Sequence, residues 1–393
     1  MLKQVFEKEQ LAKILTPSDV QKWRLLSAHG NIEAAITSIA NDWKQCKLIL
    51  SPLEQKIVKR KPVFSPSTVA DELSIRLLDR FIRRVYKVRQ SDRNRIVRQL
   101  VSLLKDSGKY HVLRLDIKDC YESIIFHRMI GKLEDDLILA PECIKLLNQI
   151  HNDLQNNYHV HGLPRGLSIS PTLAELYLES LDKKIASHPK VIYSARYVDD
   201  IIILVPQGKE SDVESYIKAI ANEMGLDMND TPGKYYSALS ATANFDYLGY
   251  SIKVHSITNK PNRVTVTISN SKLDRIKFRI IKSFCDHKKQ NNIELLKRRL
   301  EYLSMLKVVK KGRNGDLLAG IAHNYQYVTD SFECLKAIDG FLCHQLSSPR
   351  FGLGVHELNR LRHISVYGNV RKKKIGKFSR SKTIKIMRVW EDV

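Results

Sequence analysis

The chain has little that would mark a secreted, membrane-spanning or structureless protein. No apolar run approaches the roughly 18 residues that suggest a transmembrane helix. The start, Met1-Leu2-Lys3-Gln4-Val5-Phe6-Glu7, lacks the apolar stretch of a secretory leader. Six cysteines (Cys46, Cys120, Cys143, Cys285, Cys334, Cys343) are scattered, and none forms a C-x-x-C pair or a zinc-ligand spacing. They read as reduced, mostly core thiols of a cytoplasmic protein, not as a disulfide framework. There is no internal repeat and no low-complexity block. Acidic residues are also short: 42 Asp and Glu stand against 65 Lys and Arg, a formal net charge of +23. That excess favours a polyanion partner, most simply nucleic acid, over a merely solvated basic surface.

What is present suffices for a core. At 43% hydrophobic content, 393 residues support two or three packed units. Residues 1–60 place Leu11, Ile14 and Leu15 at helical spacing, and Pro17-Ser18-Asp19 reads as a helix start capped by Ser18. Lys59-Arg60-Lys61-Pro62 marks a break, and a helix is expected over 67–78. Residues 80–89 interleave basic and apolar side chains and lead into a basic helix near 91–100. Further helices are expected over 127–157, 171–187 and 211–224, strands over 243–254 and 263–269, and mainly helix from 271 to 346. Residues 371–388 carry nine Lys and Arg and no acid. They read as either a disordered tail or a basic strand lying on a polyanion.

The chemistry concentrates elsewhere. Tyr197-Val198-Asp199-Asp200 sits between two apolar runs, 191–195 and 201–205, which reads as strand, tight turn, strand. Adjacent carboxylates at a turn repel, and a divalent cation held by oxygens relieves them. The segment 112–117 offers another strand carrying a single acid, Asp116. Three carboxylates on two strands meet the requirement of a two-metal phosphoryl-transfer site.

Taken in order, the blocks resemble those of reverse transcriptases. Leu115-Asp116-Ile117-Lys118-Asp119-Cys120-Tyr121 looks like the first catalytic block, and Gly162-Leu163-Pro164-Arg165-Gly166 with Ser170-Pro171 like the second. Arg196-Tyr197-Val198-Asp199-Asp200 is the third, Gly225-Leu226-Asp227-Met228-Asn229 with Lys234 the fourth, and Phe245-Asp246-Tyr247-Leu248-Gly249-Tyr250 the primer-grip block. Any one block is weak, whereas five in order are specific. The resemblance implies an α+β right-hand polymerase fold with helical N- and C-terminal extensions. Residues 1–79 would be the N-terminal extension, 80–255 the fingers and palm with a small antiparallel sheet, 256–346 a helical thumb, and 347–393 a basic C-terminal extension.

The resemblance also implies the parts of an RNA-directed DNA polymerase. Asp116, Asp199, Asp200 and the Ile117 carbonyl would hold two Mg²⁺ ions, with deoxynucleoside triphosphates as substrates and Lys234 as proton donor to pyrophosphate. Tyr121 would lie beneath the sugar and exclude a 2′ hydroxyl. Arg165 stands where many members have Gln. It would reach the triphosphate or the template backbone, with Gly162 and Gly166 letting the loop approach the nucleotide. Lys87, Arg89, Arg93 and Arg95 are finger-side candidates for phosphate. Leu248-Gly249 would press the primer toward the metals. Arg275, Lys277, Arg279 and Arg298, with the basic run 307–313, would track a duplex, while Tyr325 and Tyr327 could stack on bases or pack in the core.

Within the family, Met1-Leu2-Lys3-Gln4-Val5-Phe6, and the runs 84–89 and 92–95 before Arg114-Leu115-Asp116-Ile117-Lys118, look like those of a bacterial defence-associated enzyme, most like the smaller member of type 3 antiphage systems that pair two reverse transcriptases. No segment reads as RNase H, integrase or endonuclease. This class implies a dedicated noncoding RNA template, a DNA product and a second reverse transcriptase, with no membrane; the oligomeric state, homo- or hetero-oligomer, stays open. Two alternatives stay open. One is a retron-like or group II intron-like enzyme, and the other is a nucleic-acid-binding protein with an inactive polymerase core.

Overall fold

The computed structural model describes residues 3–45, 48–58, 60–310 and 316–391. Met1-Leu2, Cys46, Lys59 and the 311–313 part of the basic run lie outside the described residues. The chain forms two compact units, Met1–Asp92 with Tyr110–Ser237, and Arg93–Lys109 with Ala238–Val393.

The first unit opens on four short helices, Lys8–Ile14, Pro17–Lys22, Leu25–His29 and Ile32–Gln45. The second of these is capped by Thr16, not Ser18. The Thr16 hydroxyl accepts from the Asp19 amide and the Asp19 carboxylate accepts from the Thr16 amide, a reciprocal box that starts the helix at Pro17. The helical stretch also ends earlier than expected. Residues 54–58 and 61–65 pair as a hairpin, β1 (Glu54–Val58) and β2 (Lys61–Ser65), and Lys61-Pro62 of the basic break opens its second strand. The next helix runs Val69–Val85 behind a Thr68 cap. The helical stretch over 127–157 is divided into Phe126–Asp135 and Pro141–Tyr158, because Pro141 is tolerated at a helix start but not inside one.

The centre of this unit is a four-stranded antiparallel sheet in the order β4-β5-β3-β6, with β3 at Tyr110–Asp116, β4 at Tyr193–Tyr197, β5 at Asp200–Pro206 and β6 at Tyr236–Leu239. Every residue from Ile201 to Val205 is buried, as expected of an inner strand covered on both faces. The helices Ser170–Ser187 and Glu210–Glu223 pack against the sheet. Leu173, Leu176 and Leu181 are core residues.

The second unit has its own core, centred on Phe284, Leu296, Leu300, Leu335, Ile338 and Leu342. It contains a meander of β7 (Asn244–Tyr247), β8 (Tyr250–Ile257) and β9 (Lys260–Ile268). The helices Asn270–Gln290, Ile293–Ser304 and Lys336–Ser347 follow. A small sheet breaks the region read as mainly helical: β10 (Leu306–Lys310) lies between β11 (Leu317–Ala319) and β12 (Ile375–Gly376). The helix Arg93–Leu104 belongs to this unit. Buried Asn262 holds its C-terminal end: the side-chain amide donates to Leu104 O and Asp106 O, and the backbone amide donates to Lys105 O at 2.9 Å. The basic end of the chain is neither a tail nor an extended strand. It passes through β12 into a helix, Arg380–Met387, and closes on buried Trp390, whose Nε1 donates to Arg279 O at 3.0 Å.

Five described cysteines are free thiols. Cys120 and Cys143 are buried as expected, whereas Cys343 is exposed. No described helix is long and apolar enough to cross a membrane.

Candidate active site and nucleic-acid interface

Antiparallel pairing of β3 with β5 sets Asp116 directly opposite Asp200, and the β4–β5 turn adds Asp199. One carboxylate oxygen from each of the three lies within 4.8 Å of the others, the only such group among the described residues. Asp116 is buried and Asp199 and Asp200 are partly exposed. Burial pushes the Asp199 carboxyl above its ordinary range, and repulsion from Asp116 and Asp200 adds to that. Clustered carboxylate oxygens suit a hard divalent cation such as Mg²⁺, which takes one or two carboxylates and completes its shell with water and phosphate. The donor set therefore fits the expected ions.

The turn is held under strain. Val198 has φ +60°, a left-handed conformation costly for a β-branched residue. Two contacts enforce it. The Ile117 amide donates to Asp199 O at 3.0 Å. Arg196, buried, donates to Val198 O at 2.9 Å and pairs with Glu175 and Asp182 at 2.9 and 2.7 Å. Those two carboxylates satisfy the guanidinium and raise its pKa against the burial that opposes it.

Cationic and polar side chains that the sequence reading gave no role complete the cluster. Arg114 donates to Asp200 Oδ1 from Nη2 (2.8 Å) and Nε (3.2 Å), and from Nη1 to Gly233 O (3.0 Å). Asn229 donates from Nδ2 to Asp116 Oδ2 at 2.9 Å, and its amide to Asp116 O at 2.8 Å. Lys234 was singled out, and its Nζ lies 2.7 Å from Asp116 Oδ1. That hydrogen bond raises the Lys234 pKa. A signal for Arg114 was present: alternate strand residues share a face, so it sits beside Asp116.

Tyr121 lies on the short helix Cys120–Ser123, half-buried. It lines a pocket beside the turn with Cys120, Ala174, Glu175, Arg196 and Val198. Arg165 stacks over the Tyr121 ring at 5.3 Å and forks onto Glu122 at 2.7 and 3.0 Å. Lys61, from the hairpin, reaches Asp119 at 2.6 Å and Glu122 at 3.4 Å. Glu122 thus bridges Arg165 and Lys61, and neither Lys61 nor Glu122 has a role in the reading of the chain alone. The glycines of this loop admit protein backbone. A Cβ on Gly166 (φ +99°) would meet Phe64 O at 2.3 Å, and one on Gly162 would meet Glu122 O at 2.4 Å. Lys87 and Arg89 follow the Val69–Val85 helix and are exposed.

Other expected contact residues fall in the second unit. Leu248 (φ +49°) and Gly249 (φ +80°) form the two-residue turn between β7 and β8, with two consecutive positive φ angles as in a type I′ hairpin. Arg93 serves this turn. Its Nε donates to Leu248 O at 2.9 Å and Nη1 to Asn324 O, and the guanidinium stacks on Tyr250 and Tyr325 at 4.9 and 5.1 Å. Its donors thus face the protein's own backbone, whereas it was read as a phosphate contact. Tyr325 takes part in that stack. Arg95 and Arg275 are exposed. Lys277 pairs with Asp274, and Arg298 with Glu294 and Glu301. Arg279 is partly buried, 5.6 Å from the Trp390 ring. Lys307 lies 3.8 Å over the Tyr302 ring, and burial, reinforced by Arg279, lowers its pKa to about 8.

A family model described as reverse transcriptase (RNA-dependent DNA polymerase) matches residues 53–252. No curated protein matches the chain. Among solved structures, apo telomerase from Candida tropicalis, truncated from its C-terminal domain, aligns at 12% identity with a TM-score of 0.36. The alignment covers 56% of this chain and 59% of that one, so the chain spans less than two thirds of that relative.

Proposed function

We propose, from the premise that this chain belongs to the reverse transcriptase family, that it copies an RNA template into DNA. The observation that carries this reading is the cluster of Asp116, Asp199 and Asp200 on neighbouring strands. These carboxylates, with the Ile117 carbonyl, would hold two Mg²⁺ ions. When bound, such ions activate the primer 3′ hydroxyl and neutralise charge on the triphosphate and the leaving pyrophosphate.

The chain's own residues do the rest. Arg196 and the Ile117 amide fix the turn, and Arg114 and Asn229 orient Asp200 and Asp116, so the ligands are preorganised. Lys234 keeps its proton at neutral pH, the form a donor to pyrophosphate needs. Tyr121 excludes a 2′ hydroxyl, Arg165 and Gly166 line the nucleotide, and Lys87 and Arg89 reach phosphate. Leu248-Gly249 supports the primer, while Arg95, Arg275, Lys277, Arg279 and Arg298 follow the duplex. Residues 80–255 act as fingers and palm and 256–346 as thumb.

The cellular setting we infer is antiphage defence in the cytoplasm, with a dedicated noncoding RNA and a second reverse transcriptase as partner. Its support is the likeness of residues 1–6, of 84–89 with 92–95, and of 114–118 to the smaller enzyme of paired systems. Sequencing nucleic acid that copurifies from cells tests this: one RNA species with its complementary DNA is expected, and a random transcript population would refute it.

Polymerase activity is tested with Mg²⁺, deoxynucleotides and an RNA template carrying a DNA primer. An Asp199→Ala, Asp200→Ala variant should lose more than about a hundredfold in incorporation, since even partners outside the metal's own ligands are worth 10–100-fold. Equally low incorporation by wild type and variant would favour a nucleic-acid-binding role.

A further inference from the structure

The polymerase reading leaves the basic C-terminal segment without a task. Between Arg371 and Arg388 the nine cationic residues include six lysines, and no carboxylate lies among them. The segment is nonetheless ordered. It contributes β12 to the small sheet, where Leu306 pairs with Ile375 and Lys307 with Gly376. It then forms the Arg380–Met387 helix, and Ile386 and Trp390 are buried in the second core. Arg299, also buried, donates to Ile386 O and pairs with Asp286 at 2.6 Å.

The charged side chains behave oppositely. Lys372, Lys373, Lys374, Lys377, Lys382 and Lys385 are all exposed. Among the described residues, none of the six has a carboxylate partner. Some cations elsewhere in the unit are neutralised locally, as Lys277 is by Asp274, Arg298 by Glu294 and Lys336 by Glu333. Like charges this close in sequence lie within a Debye length, about 8–10 Å, and repel one another. A chain that orders such a segment gains if a polyanion neutralises it and releases counterions. Lysine is depleted in protein–protein interfaces but serves phosphates well as a point charge. The chemistry therefore favours a phosphodiester backbone over an acidic protein surface.

We propose that residues 372–385 form an ordered platform that binds the phosphate backbone of nucleic acid without reading its sequence. This surface is argued from the second unit alone and does not depend on polymerase activity. RNA and DNA offer the same phosphodiester chemistry, so the probes must separate them.

The test uses the full chain, measuring anisotropy of a labelled RNA hairpin, a single-stranded RNA and a DNA duplex of equal length, between about 50 and 200 mM salt. A Lys372→Gln, Lys373→Gln, Lys374→Gln, Lys377→Gln variant should bind at least about tenfold more weakly, and its salt slope should fall by about 3, at roughly 0.7–0.9 per lost phosphate contact. A loss confined to the RNA probes assigns the platform to RNA, and a loss confined to the duplex assigns it to DNA. Trp390→Ala releases the segment while keeping every charge, and it should also weaken binding. Unchanged affinity and slope for all three probes in the lysine variant would overturn the platform. Wild-type affinity in Trp390→Ala would overturn its ordered character. Incorporation on a saturating short primer–template should be unaffected by the lysine changes. If the wild type shows no incorporation while the binding loss persists, the polymerase reading fails and the platform stands.

Discussion

Asp199 is ionised at a cost. It sits partly buried against two other carboxylates, so the folded protein binds its proton more tightly than the unfolded chain does. Stability is therefore lost as pH rises from the ordinary value of 3.8 through the raised one. Asp199→Asn should raise the melting temperature at pH 7 while abolishing incorporation, and the stability gain should vanish at pH values below both. A lower melting temperature at pH 7 would show that the carboxylate is compensated in another way. Added Mg²⁺ should stabilise the wild type and not this variant, because a ligand stabilises only the state that binds it. Tyr121 offers a second residue-scale check. Its ring lines the pocket beside the turn, and Tyr121→Ala should relax discrimination against ribonucleotides. Equal discrimination by wild type and variant would remove the gate assignment. Neither Arg114 nor Asn229 was identified from the chain, since both act through cross-strand and long-range hydrogen bonds to carboxylates.

At the scale of elements, the Arg93–Leu104 helix changes meaning once its ends are seen. Sequence places it just after the finger-side basic residues. In the structure Arg93 ties its start to the Leu248-Gly249 turn, and Asn262 ties its end to the β7–β8–β9 meander. Removing Arg93 leaves the carbonyls of Leu248 and Asn324 without that donor. Arg93→Ala should cost about 1–3 kcal/mol, seen in chemical denaturation, and should reduce extension from a primer. By contrast Arg89→Ala, at an exposed position, should leave stability within about 0.5 kcal/mol and alter the KM for deoxynucleotide. Equal effects of the two changes would refute the division of labour between them. The hairpin β1–β2 makes a similar point. Its Phe64 fills the space beside Gly166, so the second block's glycine is demanded by packing whatever ligand it also meets.

At the scale of the molecule, charge is the property that composition alone disclosed. Primer–template affinity should fall by about 10³ or more between about 50 and 200 mM salt if six or more phosphates are neutralised. A flat profile would mean that the +23 charge serves another end. Two units with separate cores also account for the limits of a block-by-block reading. The five motifs fall into two bodies, the first four in one and the primer-grip block in the other.

The order of the motifs, the apolar strand at 201–205, the paired acids at a turn and the excess of basic charge were fixed by the linear chain, because each depends on neighbours a few positions away. The partners of those acids, the strain at Val198, the inward turn of Arg93 and the docking of the basic C-terminal helix were settled only by tertiary structure. Each of these joins residues from distant parts of the chain or depends on which face of an element is buried, and no local pattern encodes that.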